Sequence, residues 1–119
     1  MSIHVKRIYE DPGNADGFRV LVDGLWPRGL RKEEACVDLW LKEVAPSAAL
    51  RKWFGHDPGR WDEFRKRYSG ELGGHTQGAA LQDLRSRARK GKVTLLYAAK
   101  DEAHNNAVCL AEYLKKLDS

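Results

Sequence analysis

Two short polar segments hold the residues best suited to chemistry in this chain. The first is Asp23-Gly24-Leu25-Trp26-Pro27-Arg28-Gly29, where proline and two glycines break any regular element and keep a carboxylate, an indole and a guanidinium close together. Arg28 offers a planar fork of donors suited to a bidentate contact with a carboxylate or phosphate, and Trp26 joins it as a ligand-binding candidate. Asp23 can cap the following turn or act as a catalytic carboxylate. The second segment is Lys100-Asp101-Glu102-Ala103-His104-Asn105-Asn106. Asp101 has the chemistry of a helix N-cap and of a catalytic carboxylate. His104, as an imidazole able to give or take a proton, is the candidate general acid or base. Asn105 and Asn106 are poor helix formers, so their succession points to hydrogen bonding with a ligand or a facing loop. A helix start behind Asp101, together with Lys100 or Arg28, suits an anion. His56, in Gly55-His56-Asp57-Pro58, is a further loop candidate for ligand binding, whereas His4 and His75 have no constellation around them.

Several familiar chemistries find no support. The chain has no G-x-S-x-G elbow, no GxxxxGK[ST] loop, no GxGxxG fingerprint and no metal-ligand spacing, so neither a cofactor nor a metal is expected. Cys36 and Cys109 lie in apolar-patterned stretches without a CxxC partner. Both are expected to be reduced, buried and not joined to each other.

The elements that must position these residues follow from periodicity. Ile3 to Ile8 alternates, and Phe18 to Val22 is β-branched and aromatic, so both are expected as strands. The short loop from Asp11 to Gly17 between them favours an antiparallel hairpin when taken alone. Arg31 to Cys36 suits a short helix and Val37 to Val44 a third strand. Ser47 is the expected N-cap of a helix containing Leu50, Trp53 and Phe54, and Asp57-Pro58 starts another. That helix places Trp61, Phe64, Tyr68 and Leu72 on one core-facing stripe. Gly70, Gly73, Gly74 and Gly78 mark a loop around His75, after which a helix buries Leu81, Leu84 and Ala88 and ends at Gly91 as a left-handed cap. Val93 to Ala99 is an unbroken apolar run, as expected of a central strand covered on both faces. The last helix buries Ala107, Leu110, Leu114 and Leu117.

With 119 residues the chain has the length of one domain. The opening MSIHVKRIYE lacks the apolar core of a secretory signal, and no span approaches the ~18 apolar residues of a membrane helix. A cytoplasmic protein with no membrane partner is expected. The net charge of +4 favours anions without identifying them. Arg85, Arg87, Arg89, Lys90 and Lys92 form an acid-free run, which fits a solvated helix face or a nucleic-acid footprint.

Long motifs carry a resemblance: Val20-Leu21-Val22-Asp23 through Leu25-Trp26-Pro27-Arg28-Gly29, Trp40-Leu41-Lys42-Glu43-Val44-Ala45-Pro46-Ser47, Leu50 through Pro58, and Leu95 through Asp101 with His104-Asn105-Asn106-Ala107. Together they resemble the YeaO-like family of small bacterial proteins, part of a broader family built on a domain of unknown function. The resemblance implies parallel first and second strands, with Asp11 to Gly17 as a shortened crossover, and it outweighs the hairpin. Gly24 stands where the family usually has arginine. The broader family often has Cys-His-Arg where this chain has Asn105-Asn106-Ala107, so chemistry through that thiol does not carry over.

The expected fold is α/β: a single three-layer domain, residues 1–119, with a small, mostly parallel sheet covered by helices. In such a sheet ligands bind beyond the carboxyl ends of the strands. The leading functional expectation is a small enzyme or binding protein for an anionic, nucleotide-like metabolite at those ends. The alternative is a nucleic-acid-binding or protein-binding accessory module that uses Arg85 to Lys92 and Arg65-Lys66-Arg67.

Overall fold

The computed structural model describes residues 1–74 and 77–118, so His75 lies outside the described residues. Four strands, β1 (Ser2–Arg7), β2 (Phe18–Leu21), β3 (Leu39–Trp40) and β4 (Lys92–Tyr97), form one all-parallel sheet in the order β1-β4-β2-β3. Val93 to Tyr97 is buried throughout, as a strand covered on both faces must be. β4 runs between β1 and β2, so the hairpin suggested by the short first loop does not form. The chain between them instead makes a crossover with one 3-10 turn, Asn14–Asp16.

Five helices complete the fold: α1 (Lys32–Ala35), α2 (Ala48–Phe54), α3 (Trp61–Leu72), α4 (Gly78–Lys90) and α5 (Asn106–Leu117). α2 to α5 cover one face. Their Leu50, Phe54, Phe64, Leu84 and Leu110 pack on Val20, Val93 and Leu95 of the sheet in one continuous core. Each such side chain contributes about 1.5–3 kcal/mol through burial. The aromatic stripe of α3 is core, with Phe64 stacked on Phe54 at 4.4 Å and the Tyr68 hydroxyl donating to the Val44 carbonyl. Ser47 caps α2 by accepting from Leu50 N–H at 3.2 Å.

The third layer is thin. On the opposite face Ile8, Leu21 and Leu96 are covered by α1 and the irregular segment around it, through Ala35, Trp26, Leu30 and Val37. Arg19, 4% exposed, fastens that layer. It pairs with Asp16, and its guanidinium donates to the carbonyls of Cys36 at 3.0 Å and Ala35 at 2.8 Å. These are the orphan acceptors of the C-terminus of α1.

Five local expectations are corrected, the first being Leu117, which is 41% exposed at the last turn of α5 instead of buried. Cys36 is exposed, not core, because it follows the one turn of α1 in a left-handed conformation with φ 49°. Cys109 is buried and both thiols are free. Gly91 is extended, not left-handed, since α4 feeds almost straight into β4. The third strand stops at Trp40 and a 3-10 turn, Lys42–Val44, follows, because Leu41 and Val44 both enter the same core three residues apart. Gly70 lies within α3 and Gly78 opens α4.

Candidate functional site

All four strands point the same way, so their carboxyl ends share one edge of the sheet. β4 leaves that edge toward α5 on the thick layer, whereas β1 and β2 leave toward the thin one. In open parallel sheets, chain exits that part in this way mark the edge at which ligands usually bind.

Asp23 and Asn106 meet there. The Asp23 carboxylate accepts from Ala98 N–H at 2.9 Å, continuing the β2–β4 ladder with a side chain. Asn106 donates to the Val22 carbonyl at 3.1 Å, which sets its amide beside Asp23, whose proton affinity it lowers. Trp40 donates its indole N–H to the Asp23 carbonyl at 2.7 Å. Burial pushes the Asp23 carboxyl above its ordinary range, against the pull of the Ala98 N–H, Asn106 and the charges of Arg51 and His56. Arg51, on α2, is thus a candidate whose charge acts on Asp23 and which sequence reading missed.

The raised proton affinity of Asp23 fixes a sign. A carboxyl of this kind favours the fold below its unfolded pKa, and that contribution is lost as pH rises through the folded value. At neutral pH the ionised group is a liability that an amide removes. Asp23→Asn is expected to raise stability at pH 7 by roughly 0.5–2 kcal/mol, the range of single stabilising changes, with the gain shrinking toward pH 4. Urea melts at the two pH values check this.

Residues 100–104 form a turn that leads into the cap and first turn of α5. Asp101 accepts from the N–H groups of Ala103 at 2.9 Å and His104 at 3.0 Å, and its other oxygen meets His104 Nδ1 at 2.9 Å. The His104 hydrogen bond holds the Asp101 carboxyl below its ordinary range. The His104 ring stands edge-on to Trp61 at 5.3 Å. Asp101 is not the N-cap of α5, because the turn intervenes. Asn105 is the cap, accepting from Val108 N–H at 3.0 Å while its amide donates to the Asp101 carbonyl at 3.0 Å. Lys100 is exposed.

The remaining candidates divide. Trp26 belongs to the thin layer, its N–H donating to the Leu30 carbonyl at 2.7 Å and its ring meeting Trp40 edge-on at 5.5 Å. His56 is exposed with φ 57°, and its charge reaches Asp23. Arg28 is exposed, and its carbonyl accepts from the Tyr9 hydroxyl at 2.8 Å. The Arg7 guanidinium lies 4.7 Å over the Tyr9 ring and donates to the Ala99 carbonyl at 3.0 Å. Arg7, Arg28 and Lys100 thus ring the ends of β1 and β4.

Charge pairing separates this edge from the rest of the surface. Arg65 pairs with Glu112, Arg67 with Glu63, Arg87 with Asp83, and Arg85 and Arg89 with Asp118. Arg19, Arg31 and Arg60 also hold carboxylates. Among the described residues, the arginines without a carboxylate ion pair are Arg7 and Arg28, near the ends of β1 and β4, and Arg51 of α2, whose charge acts on Asp23. Two grooves lie elsewhere, one of about 320 Å³ between α3 and α5 and one of about 510 Å³ between α2 and α3.

A family model described as the inactive DUF488-N3 subclade matches residues 2–118. The chain is similar to the uncharacterized protein YeaO of Escherichia coli (strain K12), 43% identical over 118 residues, which cover 98% of this chain and 100% of that protein. It is also similar to an uncharacterized protein of Mycobacterium tuberculosis (strain ATCC 25618 / H37Rv), 45% identical over 112 residues, covering 94% and 92%. No solved structure gives a significant match. No helix among the described residues is long and apolar enough to cross a membrane.

Proposed function

The chain belongs to the inactive DUF488-N3 subclade, and from that premise we propose that it is a cytoplasmic binding protein for an anionic, nucleotide-like metabolite held at the strand ends. The observation that carries this reading is the set of uncompensated arginines, Arg7, Arg28 and Arg51, gathered where the chain exits diverge. With Lys100 they supply the cations for a phosphate or carboxylate. Asp23 accepts from a hydroxyl or amino group of the same ligand, because a carboxylate has lone pairs beyond those the Ala98 N–H uses. Asn106 orients it, and the Asp101–His104 pair closes the thick-layer side. The subclade's description favours binding over turnover, and Asn105-Asn106-Ala107 provides no thiol at the head of α5. Free thiols, one of them exposed, fit a reducing compartment. The nucleic-acid alternative loses its footing because the arginines of α3 and α4 are occupied by carboxylates, which lowers the net field they project.

Thermal-shift measurements with inorganic pyrophosphate, AMP and adenosine test the reading. Pyrophosphate and AMP are expected to raise the melting temperature and adenosine alone is not. Arg28→Ala should weaken AMP binding by about 10- to 150-fold, or roughly 1.5–3 kcal/mol for a charged hydrogen bond. The melting temperature of the free protein should stay nearly unchanged, because Arg28 is exposed. Equal shifts with wild type and Arg28→Ala would remove Arg28 from the site.

A further inference from the structure

β1 forms one edge of the sheet, and its hydrogen bonds show which backbone groups are already used. Ile8 N–H donates to the Tyr97 carbonyl at 2.8 Å, with Arg7 in register with Tyr97. In a parallel ladder this directs the N–H and C=O of the even-numbered β1 residues toward β4 and those of the odd-numbered residues outward. At Arg7 both outward groups are taken by Glu10: the Arg7 N–H donates to the Glu10 carboxylate at 3.1 Å and the Arg7 carbonyl accepts from Glu10 N–H at 3.1 Å. Within β1, Ile3 and Val5 keep outward donors and acceptors that no described residue meets.

Sheet edges are commonly protected by lysines projecting along them. This edge lacks that protection. Lys6 bends back to Asp16 at 3.1 Å and to the Asp11 carbonyl at 2.8 Å, and Arg7 is held by the Ala99 carbonyl and the Tyr9 ring. Apolar side chains gather beside it instead: Met1, Val5, Tyr9 and Leu117 are each 37–41% exposed. The end of α5 that carries Leu117 lies near the amino terminus, whose charge acts on Asp118.

We propose that β1 is a homodimer interface, in which a second copy of this chain pairs its own β1 antiparallel about a two-fold axis through His4. Two residues spaced two apart are complementary to their own copies only in this arrangement. Ile3 faces Val5 of the second copy and Val5 faces its Ile3, so every free outward group of the pair gains a partner, and the contact is closed and isologous. Lys6 falls opposite Ser2 and Arg7 opposite Met1, so the side-chain cations of the two strands do not face each other. Extension of the ladder past Arg7 is blocked by Glu10, which disfavours a longer peptide strand as the occupant. The result is a continuous sheet with Val5 and Leu117 of both copies covered.

Sedimentation velocity over a concentration series, combined with site-directed cross-linking, tests the proposal. Wild type is expected to sediment as a dimer at high concentration. Val5→Lys, at an exposed position of the strand, should raise the dimer dissociation constant by at least about tenfold while leaving the far-ultraviolet circular dichroism unchanged. A His4→Cys substitution in a Cys36→Ser background gives an independent reading should Val5→Lys fail to fold. Directly opposed residues on the axis lie about 4.5 Å apart, within reach of a disulfide, so mild oxidation should yield a covalent dimer. A monomer at every concentration would overturn the proposal. So would a dimer that tolerates Val5→Lys and does not cross-link through His4→Cys.

Discussion

Replacing Arg19 with alanine is expected to cost about 3–5 kcal/mol of stability, the range for removing one partner of a buried ion pair. Arg19 is 4% exposed, pairs with Asp16 and holds the last carbonyls of α1. Its loss strands the Asp16 charge, leaving Lys6 as the remaining cation, and frees the thin layer that carries Arg28. The same cluster sets the acid response. Burial pushes the Asp16 carboxyl up, but the Gly13 N–H, Lys6 and Arg19 overcome it and bring the pKa down to about 2. A depressed carboxyl stabilises the fold above its unfolded pKa of 3.8, and that contribution is lost as pH falls from there through about 2. Urea melts between pH 2 and 7 should show wild type losing stability in that window, with a flatter profile in Arg19→Ala. Equal stability of the two proteins at pH 7 would mean that the cluster does not fasten α1.

Gly17→Ala is the second large loss. Gly17 turns the crossover into β2 at φ 68°, and a Cβ there would lie 2.3 Å from the Lys92 carbonyl oxygen. Positive φ costs an alanine about 1–2 kcal/mol, and relieving a backbone clash adds roughly 1–3 more. A loss of about 2–5 kcal/mol in denaturant melts is expected. A near-neutral result would show that the crossover can lift off β4, and with it the close approach that lets so short a segment replace a helix.

These two residues also show what was legible in the sequence and what was not. The apolar run of β4 and the aromatic spacing of α3 read directly as a central strand and a core-facing helix, because burial on two faces and on one stripe leaves different periods. The parallel crossover could not be read from the loop itself. Its length favours a hairpin, and what makes the alternative work is Gly17 against Lys92 and Arg19 against Asp16, contacts that exist only after folding. β3 ends early because Leu41 and Val44 serve one core at a spacing that no strand provides. Asp101 and Asn105 are both good caps, and only the turn between them shows which one opens α5.

The candidate site divides in the same way. Asp23, Arg28 and the 100–106 segment are visible as polar chemistry at predicted strand ends. Asp23 and Asn106, far apart in sequence, do come together, Asn106 holding the Val22 carbonyl next to Asp23. Arg7 and Arg51 were invisible because their distinction is the lack of a carboxylate neighbour, a property of the folded surface and not of spacing. Trp26 looked like a ligand platform, but its N–H and ring are engaged by Leu30 and Trp40.

The proposal that the strand ends bind an anion is tested most directly by titrating isotope-labelled protein with inorganic pyrophosphate and following the backbone amide resonances. The largest shifts are expected at Asp23 to Gly29 and Ala98 to Asn106, with the Arg7, Arg28 and Arg51 side-chain signals moving along the same saturation curve. Shifts confined to α3 and α4, or none at low ionic strength, would contradict a strand-end anion site.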